Sequence, residues 1–139
     1  MKLTTNKEKG NAGLSMAIAY FGSNGYVVSL PLNDTQDYDL LVDDGNKIYK
    51  VQAKCTDYMP PESDAYVLNL RSTGGTKGTV YKTVVNTDID ILFALCGDGT
   101  MYVIPKNVIK NINTMNLRKN KSKFSNKNIT DYSQYIVKF

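Results

Sequence analysis

The chain predicts a mixed α/β domain built on one central sheet, and the order of its hydrophobic patterns is the reason. A stripe of apolar residues at helical spacing comes first. Six short runs rich in β-formers follow, broken by glycine, asparagine and aspartate, and a further helical pattern comes after them. That order lacks the repeated strand-helix alternation of a doubly wound sheet. No repeat, linker or low-complexity block interrupts the 139 residues, so residues 1–139 read as one domain.

Leu14, Ala17, Ile18 and Phe21 recur at i, i+3, i+4 and i+7, which places them on one helical face, and Gly22 and Gly25 close the helix. Such a stripe needs a sheet to cover. Residues 26–30 (YVVSL) form the first strand and end at Pro31. Residues 39–42 and 47–54 flank Asp43-Asp44-Gly45-Asn46, a strong hairpin signal. With Asp44-Gly45 as a two-residue turn, Asp43 pairs with Asn46 and Asp39 lies across from Lys50. Residues 65–70 read as a fourth strand and residues 71–78 as a flexible, basic, glycine-rich loop. Residues 90–95 and 101–104 flank Cys96-Gly97-Asp98-Gly99 as a second hairpin. Residues 105–112 begin with a proline suited to a first helical turn, and residues 131–137 read as a short helix.

Composition narrows the chemistry. There is no histidine and no tryptophan, and Cys55 and Cys96 are the only cysteines. Nucleophile activation by an imidazole base and His-ligated zinc are therefore excluded within this chain. Two isolated thiols and a polar N-terminus point to a reduced, cytoplasmic protein, and the longest apolar run, residues 91–96, is too short to span a membrane. Charge is divided unevenly. Residues 1–104 carry nine basic and twelve acidic side chains, while residues 105–139 carry eight basic and one acidic. The basic C-terminal segment, about residues 105–139, suits an anionic polymer.

Side chains alternate faces along a strand, so the expected hairpin puts Asp39, Lys50, Gln52 and Lys54 on one face. Phosphodiester hydrolysis at neutral pH needs a charge clamp on the phosphoryl oxygens and an activated water, which a hard divalent cation on a few oxygen ligands supplies. Asp39 offers a carboxylate, Gln52 an amide oxygen and Ala53 a backbone carbonyl. Lys54 is suited to hold the attacking water or to stabilise developing negative charge. Asp37, two residues from Asp39 and on the same face, competes for the cation. Arg71, Lys77 and Lys82, in and after the glycine-rich stretch, together with Lys50, are expected to contact phosphates. Gly74-Gly75 is not a P-loop, because no G-K-[ST] follows at the required spacing.

Asp39 followed thirteen positions later by Gln52-Ala53-Lys54 resembles the PD-(D/E)XK nuclease superfamily, and within it the branch of group I intron homing endonucleases in which an acidic D precedes QxK. The resemblance extends through KxKGxxG at Lys7 to Gly13, GYVVSLP at Gly25 to Pro31, YDLLVDDGNKIYKVQAK at Tyr38 to Lys54, the Arg71 to Gly75 stretch, Tyr81, DIDILFAL at Asp88 to Leu95 and MYVIP at Met101 to Pro105. It implies a restriction-endonuclease-like α/β core, a mixed central sheet flanked by helices. It also implies a Mg²⁺-dependent DNA endonuclease, with Mn²⁺ as a substitute, Asp39, Gln52 and Lys54 as catalytic residues, and Asp39, Gln52 and Ala53 as metal ligands. The implied substrate is double-stranded or branched DNA, in a homing, restriction-like or junction-resolving role. One site per chain and two strands to cut imply a homodimer, and the resemblance allows a homotetramer.

One position departs from the pattern. The resembling branch carries a glutamate in a G-x-x-G-E arrangement on its first helix, whereas this chain reads Gly10-Asn11-Ala12-Gly13-Leu14. Leucine neither ligates a metal nor assists a base. Glu8 and Asp37 are the carboxylates placed to compensate; without compensation the chain is a DNA-binding protein with impaired cleavage.

Overall fold

The first helix begins with a reciprocal cap. In the computed structural model, which describes residues 3–73, 81–120 and 130–139, Thr5 Oγ1 accepts from the Glu8 N–H and the Glu8 carboxylate accepts from the Thr5 N–H. The helix, α1 (Asn6–Ser23), buries Gly13, Ala17 and Phe21. The strands are β1 (Val27–Ser29), β2 (Leu40–Asp43), β3 (Ile48–Thr56), β4 (Tyr66–Asn69), β5 (Arg71–Thr73), β6 (Tyr81–Thr83), β7 (Ile91–Cys96), β8 (Met101–Pro105), β9 (Thr114–Leu117) and β10 (Ile136–Val137).

Among the described residues six strands form one sheet in the order β1-β2-β3-β7-β8-β10, with two small ribbons, β4-β9 and β5-β6, beside it. Its centre is a parallel pair: β3 and β7 run together from Val51–Ile91 to Thr56–Cys96, and all other neighbours in the sheet are antiparallel. Buried central strands read as nearly continuous apolar runs, which is why Ile91–Cys96 carries ILFALC with five consecutive buried residues. Alternation then divides the core in two. Val42, Val51, Phe93, Leu95 and Met101 pack with Ala17 and Phe21 of α1, while Leu92, Ala94, Cys96, Tyr102 and Ile104 pack with Leu68, Met115 and Leu117 of the β4-β9 ribbon. Gly13 lies where the helix closely approaches the sheet. A Cβ there would sit 3.2 Å from the Lys54 backbone carbon and oxygen.

Four expectations are corrected. The hairpin pairs Leu40 with Val51 and Asp43 with Ile48, so its loop is four residues long and Asp39 lies level with Gln52, not Lys50. The reason lies in the turn: Asp44 Oδ1 accepts from the Asn46 and Lys47 N–H groups, and Gly45 takes a left-handed φ of 93°. An error of two residues preserves every face, so Asp39, Gln52 and Lys54 remain on one side. Arg71–Thr73 is a strand paired with Tyr81–Thr83 instead of the start of a loop, and residues 74–80 lie outside the described residues. Pro105 ends β8, and only Lys106–Val108 turns, as a 3-10 helix. Ile109 then goes extended and buried, because the chain has to reach β9, where Met115 and Leu117 seal the second core beside β4. The expected C-terminal helix is likewise a 3-10 turn, Ser133–Tyr135, followed by β10 closing the edge of β8. The sheet is thus covered by one α-helix among the described residues, on one face.

Candidate active site

The site forms where one strand stops and its neighbour continues. The β2 ladder ends at Leu40–Val51, while β3 runs on to Thr56, leaving the β2-side edge of β3 open. Asp39 occupies this step. Its N–H donates to the Val51 carbonyl at 2.8 Å, and its Oδ2 accepts from the Ala53 N–H at 2.8 Å. The N–H and C=O of one residue in an extended strand point to the same edge, so the Ala53 carbonyl is directed to the side where Asp39 sits. Gln52 is level with Leu92 and Lys54 with Ala94, which sends both side chains to the sheet face opposite α1.

Gln52 is buried, with 7% of the residue exposed. Its Nε2 donates to the Asp37 carbonyl at 3.2 Å, while its Oε1 is buried with no hydrogen-bond partner among the described residues. Leaving a buried acceptor unmatched costs about 1–3 kcal/mol, so such an atom calls for a partner such as an ordered water or an ion. Among the described residues Lys54 Nζ makes only a long contact, 3.4 Å, to the Arg71 carbonyl. Burial raises the Asp39 pKa, opposed by the Ala53 N–H and by Lys54; burial lowers the Lys54 pKa, opposed by Asp39. Each group therefore offsets part of the penalty that burial puts on the other's charge. Lys54 and Ala53 line an open cleft of about 570 Å³ that also takes in Lys9 and Gly10 of α1 and Asn69 and Arg71.

This donor set suits a hard divalent cation. Among the described residues no group of three or more His, Cys, Asp or Glu side chains could hold a metal, so any ligand shell here must draw on neutral oxygens as well as Asp39. Gln52 Oε1, the Ala53 carbonyl and the Asp39 carboxylate are oxygen donors of the kind Mg²⁺ and Mn²⁺ prefer.

The other sequence candidates fall into different surroundings. Glu8 belongs to the helix cap: its Oε2 accepts from Thr4 N–H, Thr4 Oγ1 and Thr5 N–H, which lowers its pKa from 4.5 to about 2. Asp37 adjoins the site, with its carbonyl on Gln52 and its Oδ2 accepting from the Asp88 N–H at 3.2 Å and lying 3.9 Å from Lys82 Nζ. Lys50 is ion-paired with Asp88, and its Nζ lies 5.8 Å from the centre of the Tyr38 ring. Arg71 and Lys82 are exposed, and Lys77 lies outside the described residues. Leu14 is half-buried against the apolar cluster beneath α1. In the basic C-terminal segment, Arg118 pairs with Asp64 at 3.0 Å and Lys119 with Asp98 at 2.8 Å, and residues 121–129 lie outside the described residues.

Sequence reading gave no role to Asp88 and Asp90. Asp90 accepts from the Lys50 N–H at 2.8 Å and donates its own N–H to the Lys50 carbonyl at 2.8 Å, locking the start of the parallel pair. The signal was present in the DIDILFAL run, as two acids at the mouth of a buried strand.

The PD-(D/E)XK endonuclease family profile matches residues 4–138. The chain belongs to that family. The fold of this PD-(D/E)XK endonuclease is also similar to that of a bacterial homing endonuclease, I-Ssp6803I, with a TM-score of 0.77 and 24% sequence identity over 96% of this chain and 89% of the other. No curated protein matches the chain. No helix among the described residues of the endonuclease is long and apolar enough to cross a membrane.

Proposed function

We propose that the chain is a divalent-metal-dependent DNA endonuclease with its active site at Asp39, Gln52 and Lys54. The observation that carries this reading is the Oε1 of Gln52, without a partner among the described residues and buried level with Asp39 beside the open edge of β3. Asp39, Gln52 and Ala53 would hold Mg²⁺ or Mn²⁺, which supplies charge neutralisation at the phosphoryl oxygens. Asp39 is oriented for this by the Ala53 N–H, which takes Oδ2 and leaves Oδ1 as the remaining carboxylate oxygen. Lys54 has no short hydrogen bond to give up among the described residues, so its ammonium is available to a phosphate oxygen or to the attacking water. The exposed Lys82 and Arg71 and the charged Lys50 flank this edge as candidates for phosphate contact, and the fold neighbour's description as a homing endonuclease favours duplex DNA as substrate. A single site per chain serves two strands through a second copy, so a homodimer or homotetramer is expected.

Cleavage of plasmid DNA by the full chain, with Mg²⁺ or with a chelator, tests this directly. Cutting is expected with Mg²⁺ and expected to vanish in Asp39→Ala and Lys54→Ala. Metal-dependent cutting retained in both variants overturns the assignment.

A second reading, a DNA-binding protein with impaired cleavage, is favoured by two positions. Leu14 packs in an apolar cluster where the resembling branch carries a carboxylate, and Glu8 is committed to the helix cap. Salt-dependent DNA binding without cutting at any Mg²⁺ or Mn²⁺ concentration selects it.

A further inference from the structure

The amide at position 52 is held from one side only. Nε2 donates to the Asp37 carbonyl at 3.2 Å, and a carbonyl oxygen accepts but never donates, so the contact fixes which amide atom points which way. Oε1 is thereby turned to the position where it meets no donor among the described residues. The Asp37 segment is itself anchored, through Oδ2 to the Asp88 N–H at 3.2 Å and to Lys82 Nζ at 3.9 Å. Asp88 precedes β7, the strand that carries Leu92 level with Gln52. The approach to β2 and the approach to β7 are thus joined beside the Gln52 side chain.

An acid at this position, the usual residue of a (D/E)XK motif, would meet a hostile neighbour. Glutamate places an oxygen where glutamine has Nε2, and an ionised carboxylate has no hydrogen to offer. Two acceptors would then face each other in a buried place.

We propose that position 52 operates only as an amide and that Asp37 is the positioning residue that aims its oxygen into the site. Gln52 is then a specified ligand and not a weakened acid. The proposal rests on the metal-dependent reading above.

Mn²⁺ affinity measured by calorimetry on the full chain, with unfolding midpoints of the metal-free proteins alongside, tests it through a double-mutant cycle. Gln52→Glu is expected to bind Mn²⁺ no more tightly than the parent, despite its added charge. Asp37→Ala is expected to weaken Mn²⁺ binding on the order of fivefold in the parent, whereas Asp37→Asn, which keeps an oxygen for the Asp88 N–H, stays near parental affinity. In the Gln52→Glu background Asp37→Ala reverses sign and tightens binding, because the carbonyl is freed to draw back. A tenfold or greater gain, about 1.4 kcal/mol, from Gln52→Glu alone overturns the proposal, as does an equal effect of Asp37→Ala in both backgrounds. A parental chain that binds no Mn²⁺ defeats the metal-dependent reading instead. The amide requirement is then read from the metal-free midpoints. Gln52→Glu must lower the midpoint, and Asp37→Ala must lower it less in that background than in the parent; an unchanged midpoint overturns the proposal.

Discussion

Two glycines of α1 stand three residues apart in the same helix and should answer an alanine in opposite ways. At Gly10 a Cβ meets nothing within 4 Å, so Gly10→Ala gains helix propensity without a steric cost, worth about 0.5–1 kcal/mol. At Gly13 the same atom arrives 3.2 Å from the Lys54 carbonyl carbon and oxygen and 3.4 Å from Cys55 Cβ. The obstacle is backbone in a strand paired with β7, so it cannot swing aside as a side chain would. The helix must lift by a few tenths of an ångström. That loosens the packing of Ala17 and Phe21, and we expect it to cancel the propensity gain in Gly13→Ala. Gly13→Val adds two carbons beyond alanine's at the same contact and is expected to lose about 1–3 kcal/mol to overpacking. Urea unfolding of the three variants, read as midpoints with unchanged slope, measures this. The clash falls on the residue that bears the proposed catalytic ammonium, so Gly13→Val should also lose DNA cleavage out of proportion to its stability, while Gly10→Ala keeps it. Equal stabilisation by Gly10→Ala and Gly13→Ala would refute the close approach of α1 to β3.

Other expectations test other parts of the molecule. The Glu8 carboxylate is held near pKa 2 by hydrogen bonds from Thr4 and Thr5, so its contribution is complete above its ordinary value of 4.5 and is lost as pH falls through about 2; acid unfolding of Glu8→Gln should lack that component. Thr5→Ala, which removes the cap acceptor, should cost about 1 kcal/mol at neutral pH. Lys54→Met keeps the aliphatic stem and removes a charge that burial penalises, so it should retain the thermal midpoint while abolishing cleavage. Leu14→Glu sets a carboxylate against the apolar cluster beneath α1 and should lower the thermal midpoint without lowering the metal concentration needed for cleavage; a large gain in cutting favours the impaired-nuclease reading.

Local signals were legible in the sequence, and long-range ones were not. The helix stripe, the two hairpins and the alternation along residues 47–54 depend on neighbours in the chain, and the structure keeps each of them. The register slip at Asp44 shows why the shared face of Asp39, Gln52 and Lys54 survived a wrong turn. Loop length moved by two, and a sheet face repeats every two residues. The failures came where a segment's conformation is set by a distant partner. Residues 105–112 carry a plausible helical start, but Ile109 is required in the second core and Met115 and Leu117 must lie along β4, so tertiary burial overrode local preference. The same applies to Ile136 and Val137, drawn into the sheet by the open edge of β8. Pattern alone singles out Asp39, Gln52 and Lys54 as candidates, yet the link from Asp37 to Gln52 spans fifteen positions and the link from Asp37 to Asp88 spans fifty-one, distances over which no periodicity speaks.

The central claim is that the unpaired oxygen of Gln52 is a metal ligand beside Asp39. Crystals of the full chain soaked in Mn²⁺ and measured for anomalous scattering test it most directly. A single peak is expected about 2.0–2.3 Å from Gln52 Oε1, the Asp39 carboxylate and the Ala53 carbonyl. A peak bound elsewhere, or Gln52 Oε1 found satisfied by a protein donor with no metal at Asp39, contradicts it.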